Sequence, residues 1–476
     1  EELTRGGVYT AKDAADRAHT IMTDLEERYL RGETDIAPNT FGYNIVLDGL
    51  HKCGAKDAPD RVEELFNKMK KWSTEGVTEK DDEEYVNADA DKWTQIRPDA
   101  ITYSICMEAQ GQSSEHGAMD KVEDLLDSID AVYEATKDPD VKPVTRVANA
   151  AINAYLRHGN INSGGQNYRQ SSNRNWTTAK NVHEVLNRCN NKYKETGDET
   201  YRPDIQTITM VIDAYARCSD SAATERGEYL FEWALKQWRE SGDDKLKPSS
   251  RTFTVMINSW AKSRDPKAPA KAEELVERME ALYAEDVKNG NAATSKIKPS
   301  IRTYTAAMGA WARSRDDTKP QRALKILKKV SDMYKKTNEE NLKPTLFTYN
   351  IVIDACARCN GGPEQQATAL KIAFAVNRAI SAAQLEPNHI TYSTLLKAAT
   401  KLLPPGDQRN EIVKAVFDKC TKKGFVDVNV LKALEQAADR DMYYTLMGFA
   451  ADRNGYVHFD EIPNDWSKNV QKGRRY

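Results

Sequence analysis

Seven basic residues recur at one place in a repeating pattern: Lys52, Arg157, Arg217, Lys262, Arg313, Arg358 and Lys401. Each lies eight residues after a small polar side chain, namely Asn44, Asn149, Thr209, Thr254, Thr305, Asn350 and Ser393. In four copies Asp48, Asp213, Asn258 or Asp354 stands midway. On a helix, positions i, i+4 and i+8 share one face, so each copy presents a polar stripe ending in a cation. A ladder of cations at regular spacing suits a phosphate backbone. The same cations also suit a helix C-terminus, where the macrodipole attracts positive charge by about 0.3–1 kcal/mol. The stripe also reads as a solvated face, and the spacing alone leaves these readings open.

The stripes need helices to carry them. The fullest copy runs from Lys343-Pro344-Thr345-Leu346-Phe347-Thr348-Tyr349-Asn350 through Arg358. Pro344 cannot sit inside a helix and biases Lys343 away from helical angles, so one helix ends there and another starts just beyond. Tyr349, Val352, Ile353 and Cys356 fall at i, i+3, i+4 and i+7 and make an apolar face beside the polar one. The same pattern follows Pro38 (Tyr43, Val46, Leu47, Leu50), Pro203 (Ile208, Val211, Ile212, Tyr215), Pro248 (Phe253, Met256, Ile257, Trp260) and Pro299 (Tyr304, Ala307, Met308, Trp311). Weaker copies after Pro98, Pro143 and Pro387 centre on Tyr103, Ala148 and Tyr392. A second amphipathic helix follows each first one, clearest at Ala270–Met279, Val62–Met69 and Ala323–Val330. A lone hairpin cannot bury its apolar stripe, so neighbours must stack, each large side chain then contributing about 1.5–3 kcal/mol. A self-similar period of this kind predicts an all-α solenoid.

Three segments follow: residues 1–37 as a partial repeat whose helix, Ala11–Leu30, is the second half of a hairpin; 38–422 as about eight hairpins; and 423–476 as a capping helix over Val426–Ala438 with a polar tail ending in Lys472-Gly473-Arg474-Arg475. Acidic Ser73–Arg97, with Asp81-Asp82-Glu83-Glu84 at its centre, and polar Glu285–Lys298 read as insertions. Asn160–Trp176, rich in Ser, Asn, Gly and Gln, reads as a loop.

The 39% hydrophobic and 30% charged composition suits a helical protein with a large surface. No run approaches the roughly 18–20 apolar residues of a membrane span. The net charge of −3 counts against simple nonspecific polyanion binding. Seven Cys without a disulfide-framework spacing read as reduced core residues. Because the sequence begins at Glu1 rather than Met, we expect an N-terminal segment, and any targeting peptide with it, to have been removed. Cys356-Ala357-Arg358-Cys359 has no second pair and reads as structural rather than zinc-binding. Asp452–Glu461 resembles most of a calcium loop, but Ala450 occupies the first-ligand position and Pro463 cuts into the exit helix, so no metal site is expected. No catalytic constellation is present: the few His residues are scattered and no Gly-rich phosphate loop follows a strand.

The Pro, then Thr-Tyr-Asn or Thr-Tyr-Ser, then an Ile-Asp-Ala core resembles the pentatricopeptide repeat family. Thr348-Tyr349-Asn350-Ile351-Val352-Ile353-Asp354-Ala355 and Thr391-Tyr392-Ser393-Thr394-Leu395-Leu396 carry the resemblance best, and it spans about residues 11–422. The Pro-to-Pro spacings of 43–60 residues exceed the family's unit, and the copies from 143 to 300 are less regular. The resemblance implies a right-handed α-solenoid that binds single-stranded RNA in mitochondria or plastids, with no cofactor and no small-molecule substrate. It implies that two side chains per hairpin read one base, one just after the first-helix aromatic and one just after the next Pro.

Carried over, Asn44 with Asp99 and Asn149 with Asp204 would favour uracil, and Asn350 with Asn388 resembles a pyrimidine pair. Thr209 with Ser249 and Thr254 with Ser300 lean toward purines. Ser104 with Val144 and Thr305 with Thr345 fall outside the familiar pairs, and Ser393 opens a last one. An amide offers both donor and acceptor to a pyrimidine edge, and a carboxylate can orient it. The family's base-stacking position, two before the aromatic, is filled suitably by Phe41, Ile101, Phe347 and Ile390 but not by Arg146, Gln206, Arg251 and Arg302, although an Arg plane can still stack on a base.

Three functions are compatible with these residues. The leading one is a non-enzymatic, sequence-selective RNA binder acting in organellar transcript processing, stability or translation. The second is a scaffold subunit of an organellar ribosome or RNA-processing complex that reads no bases; net acidity, long insertions and off-pattern pairs favour it. The third is an enzyme whose catalytic part lies outside this chain.

Overall fold

The computed structural model describes residues 10–77, 87–115, 117–161, 168–450, 457 and 459–470. The architecture is all-α, an α-solenoid of helical hairpins. In order the helices are α1 (Ala11–Leu30), α2 (Thr40–Lys52), α3 (Ala58–Glu75), α4 (Ala100–Gln110), α5 (Ala118–Thr136), α6 (Thr145–Ile161), α7 (Tyr168–Thr196), α8 (Ile205–Cys218), α9 (Ser221–Ser241) and α10 (Ser250–Ser263). They continue as α11 (Ala268–Lys288), α12 (Ile301–Arg313), α13 (Lys319–Thr337), α14 (Leu346–Ala357), α15 (Pro363–Ala382), α16 (His389–Leu402), α17 (Asp407–Lys422), α18 (Val428–Ala437), α19 (Arg440–Met447) and α20 (Asn464–Ser467). They group into two compact units, Glu1–Cys218 with Arg226–Lys247 and Ser219–Glu225 with Pro248–Tyr476.

Local chemistry places the boundaries. Pro38, Pro98, Pro248, Pro299, Pro344 and Pro387 each immediately precede the N-cap of a first helix: Asn39, Asp99, Ser249, Ser300, Thr345 and Asn388. Second helices open with Pro in their first turn at α3, α11, α13 and α15, where the missing N–H is no loss. Several close on a residue with positive φ, including Gly32 and Gly76. Gly76 is required twice over: its φ is 75°, and a Cβ there would lie 2.5 Å from the Ala88 carbonyl oxygen.

In the first unit the first helices α2, α4, α6 and α8 pack in succession, and α2, α4 and α6 also pack against their own second helices; in the second unit α10, α12, α14 and α16 pack in succession and each against its own second helix. The first-helix aromatics Tyr43, Tyr103, Phe253 and Tyr304 are buried at the seams. Phe66 of α3 meets Tyr103 edge-on at 5.1 Å, and Tyr304 donates its hydroxyl to Glu280 of α11 at 2.7 Å. Burial and the neighbouring carboxylate push the Tyr304 phenol far above its ordinary pKa. All seven cysteines are thiols rather than disulfides and all but Cys53 are buried; burial pushes the Cys356 thiol up to about 12.

The stretch expected as a loop over Asn160–Trp176 is largely helical. The first unit's α6 runs to Ile161 and α7 starts at Tyr168. Propensity is a weak prior that packing overrides; here the Trp176 ring sits 6.1 Å from Tyr215 and Asn175 donates to the Arg217 carbonyl at 2.9 Å, holding the start of α7 against α8. Inside the Ser73–Arg97 insertion a 3-10 helix, Ala90–Ile96, buries Trp93 completely. The acidic Asp81–Glu84 run, most of the calcium-like loop and the basic tail lie outside the described residues. Among the described residues no helix is long and apolar enough to cross a membrane.

Candidate nucleic-acid interface

The second side chain of each expected base-reading pair is a helix N-cap. Asp99, Ser249, Ser300, Thr345 and Asn388 cap α4, α10, α12, α14 and α16, and Asp204 accepts from the Thr207 amide at 2.8 Å at the start of α8. Asp, Asn, Ser and Thr are what a cap requires in any case. Val144, before α6, has no polar side-chain atom to offer.

The structure joins three pairs by a threonine that the sequence reading passed over. Thr102 donates to Asn44 Oδ1 at 2.8 Å and lies 2.9 Å from Asp99 Oδ1. With its oxygen engaged, the Asn44 amide turns its nitrogen to Asp99, at 3.1 and 3.3 Å from the two carboxylate oxygens. Thr207 bridges Asn149 and Asp204 at 2.7 and 2.9 Å, and Thr391 bridges Asn350 and Asn388 at 2.8 and 3.2 Å. Thr303 lies 3.2 Å from Thr254 beside the Ser300 cap. Thr102, Thr207, Thr252, Thr303, Thr348 and Thr391 are all fully buried. The cap followed three residues later by Thr was the available signal, a variant of the capping box.

Elsewhere the expected first residues turn inward. Ser104, Thr209, Thr305 and Ser393 donate to the carbonyls of Ala100, Ile205, Ile301 and Ile390 in their own helices, at 2.7, 2.6, 2.6 and 3.1 Å. Thr209 belongs to the first unit and Ser249 to the second.

All eight residues of the expected stacking set are exposed. Phe41 is 74% and Phe347 65% exposed, and Ile101 and Ile390 join them among the exposed large apolar side chains. One such residue is unremarkable on a protein surface; recurrence at one register calls for a reason. Arg146, Gln206, Arg251 and Arg302 fill the register in the other four hairpins.

The seven cations divide by what lies one turn before them. Lys52, Arg217 and Arg358 are paired with Asp48, Asp213 and Asp354 at 2.7, 2.7 and 2.8 Å. Asn258, Gly309 and Lys397 stand where those carboxylates would be, so Lys262, Arg313 and Lys401 are not neutralised within the stripe. Arg313 donates to the Gly309 carbonyl at 3.1 Å. Arg157 lies 3.4 Å from His51 Nε2, which in turn is 3.5 Å from Glu108 Oε2. The hydrogen bond with His51 holds the Glu108 carboxyl below its ordinary range, aided by the charges of His51 and Arg157.

The threonine bridge gives a direct prediction. Thr102→Val keeps the shape but removes a buried hydroxyl shared by Asn44 and Asp99, and is expected to destabilise the chain by about 1–2 kcal/mol. A lowered midpoint in urea unfolding checks it. An unchanged midpoint would mean that the amide and carboxylate satisfy each other alone.

Residues 290–358 match the model of the pentatricopeptide repeat domain. No curated protein matches the chain. Among solved structures, the pentatricopeptide repeat protein PPR10 from maize is 17% identical over 94% of this chain and 59% of its own, with a TM-score of 0.40. The same protein in complex with an 18-nt psaJ RNA element is 15% identical over 93% and 69%, with a TM-score of 0.25. The chain thus spans about three-fifths of the length of the first of these. The 290–358 segment is thus a pentatricopeptide repeat domain, and its Pro, N-cap and first-helix pattern recurs before and after it along the chain.

Proposed function

We propose that the chain binds single-stranded RNA with a preference for particular bases, and does so in a mitochondrion or plastid, regulating a transcript by occupancy. The organellar setting rests on the family resemblance alone. The observation that carries RNA reading is the oriented Asn–Asp pair, present twice in the first unit. Because Thr102 engages the Asn44 oxygen, the pair presents an N–H donor beside a carboxylate acceptor. Uracil complements that edge, since its carbonyl accepts and its N3–H donates. Cytosine has a lone pair at N3, which the carboxylate repels; Asn388 in place of Asp relieves that repulsion. Unstacked RNA exposes these edges, and the exposed Phe41, Ile101, Phe347 and Ile390 supply apolar faces for bases.

The scaffold reading is favoured by a specific observation: three of the seven cations are already paired with carboxylates. One experiment separates the two. Affinity for short uracil-rich and cytosine-rich single strands is measured at several salt concentrations, for the wild type and Asn44→Ala/Asn149→Ala. RNA reading predicts salt-sensitive binding and about a tenfold loss on the uracil-rich strand alone, roughly 1.4 kcal/mol. Weak binding indifferent to both substitutions would leave the scaffold reading.

A further inference from the structure

The outer face of the second unit changes sign between neighbouring second helices. Ala272 of α11, Ala323 of α13 and Ala369 of α15 open matching buried stripes: Leu275, Val276 and Met279; Ile326, Leu327 and Val330; Ile372, Ala373 and Val376. At 100° per residue, the positions two, five, nine, twelve and thirteen beyond each alanine point the other way, out from the core. On α11 they include Glu274, Glu277 and Glu285. On α13 they carry Lys325, Lys328, Lys335 and Lys336, and on α15 Lys371 and Arg378, all exposed. Asp332, and Glu364 at the start of α15, are the carboxylates on this two-helix face, and α13 packs against α15.

The flanking cations are occupied, whereas these six are not. Lys329 is held by Glu280 of α11 at 2.7 Å, and the Arg322 guanidinium lies over the Trp311 ring at 5.3 Å. None of the six has a carboxylate within ion-pair distance among the described residues; even Asp332, one turn from both Lys328 and Lys336, closes on neither. The whole chain carries a net charge of −3, so the patch does not follow from a basic composition. Uncompensated like charges repel one another, and their recurrence at one register on two adjacent helices calls for an anion from outside.

The rest of the face says which anion. None of the exposed large apolar side chains lies on α13 or α15, and Phe374, the ring on the face, is half-buried. Protein interfaces are depleted in Lys and rest on aromatic or aliphatic anchors. Single strands are held by exposed rings on which bases stack. Cations without anchors or platforms match a surface that presents phosphates and hides its bases, which is a duplex. We propose that the outer face of α13 and α15 binds the phosphate backbone of double-stranded RNA without reading its sequence. The choice of RNA over DNA rests on the RNA binding proposed above; the choice of a duplex does not. The site lies on second helices, apart from the first-helix pairs and the stacking register.

The full chain is titrated into a labelled blunt RNA duplex of about 16 base pairs, the span of a duplex-binding domain. Fluorescence anisotropy is read between about 50 and 200 mM salt. Lys325→Gln/Lys328→Gln/Lys371→Gln should weaken binding about tenfold or more at the low end and lower the log–log salt slope by about 2.7, since each phosphate contact on a duplex contributes about 0.9. Its affinity for a single strand should stay within about threefold of the wild type, because screening confines each charge to its surroundings. Lys194→Gln/Lys236→Gln/Lys245→Gln removes the same charge from exposed positions of the first unit and should change duplex binding by less than about threefold. Gln is a good helix former, so circular dichroism should report the wild-type unfolding temperature for both variants. The absence of salt-sensitive duplex binding, or equal losses in the two variants, overturns the proposal. So does one-to-one binding of a labelled polyglutamate peptide, lost only in the first variant, while the duplex is not bound: an acidic protein segment would then be the occupant. Duplex DNA of the same length bound about tenfold more tightly overturns the choice of RNA. If single strands fail to bind while the duplex behaves as expected, the base-reading proposal falls and this one stands; the reverse pattern sinks this one alone.

Discussion

Trp93→Ala is expected to destabilise the first unit by about 3–5 kcal/mol, the range for deleting a fully buried aromatic side chain. Trp93 is fully buried although it lies inside an acidic insertion. Its ring meets Trp72 of α3 at 4.8 Å and Tyr29 of α1 at 5.5 Å, both edge-on. Its indole N–H donates to the Asn87 carbonyl at 2.7 Å. Asn87 is tied in turn to the end of α1: its side chain donates to the Tyr29 carbonyl at 2.7 Å and its amide to that of Leu30 at 3.3 Å. The insertion thus closes over the seam between two second helices. Trp93→Phe, which retains most of the packing but orphans the Asn87 carbonyl, should cost less, about 1–3 kcal/mol. Equilibrium urea unfolding followed by circular dichroism measures both. A loss under about 1 kcal/mol for the alanine variant would show that the insertion contributes little to the unit beneath it.

The second large effect concerns charge. Lys262→Glu/Arg313→Glu should lower affinity for single-stranded RNA by about a hundredfold near 50 mM salt, equivalent to roughly 2.7 kcal/mol. The log–log salt slope should fall by about 1.4, since each neutralised phosphate contributes about 0.7 for a single strand. Asp48→Ala/Lys52→Ala removes an ion pair that is already neutral overall, and should change binding much less. Equal effects of the two double variants would make the division among the cations irrelevant to RNA. If neither variant has an effect, the cations serve helix ends alone.

How much of this was legible in the residues depended on how local the cause was. The first helices and their starts could be read because Pro344, the Thr345 cap and the Tyr349–Cys356 stripe are neighbours in sequence and act on one another directly. A helix stands at Val428–Ala437, within the Val426–Ala438 stretch, for the same reason: the Asp427 cap and the apolar stripe are neighbours in sequence. What was missed involved partners far apart in the chain. Thr102 gains its role from Asn44, 58 residues away, and Trp93 from Tyr29 and Trp72. The helical start of α7 was hidden by Asn and Ser, whose local preference is for turns. The cation column was visible, and so was the residue one turn before each cation; what spacing did not report is that Asp48, Asp213 and Asp354 close on Lys52, Arg217 and Arg358 as ion pairs rather than facing outward.

The threonine bridges also bear on how such a chain could be cut and rearranged. Each joins a side chain of one first helix to the cap of the next, so if the pairs read bases as proposed, the smallest complete reading element would straddle a boundary between hairpins. A hairpin transplanted from proline to proline would carry half of one element and half of another, and would alter recognition at two bases at once. A graft that exchanges a single base preference must instead run from within one first helix, before Asn44, to beyond Thr102 in the next. On the proposed reading, the informational unit would be offset by half a hairpin from the structural one.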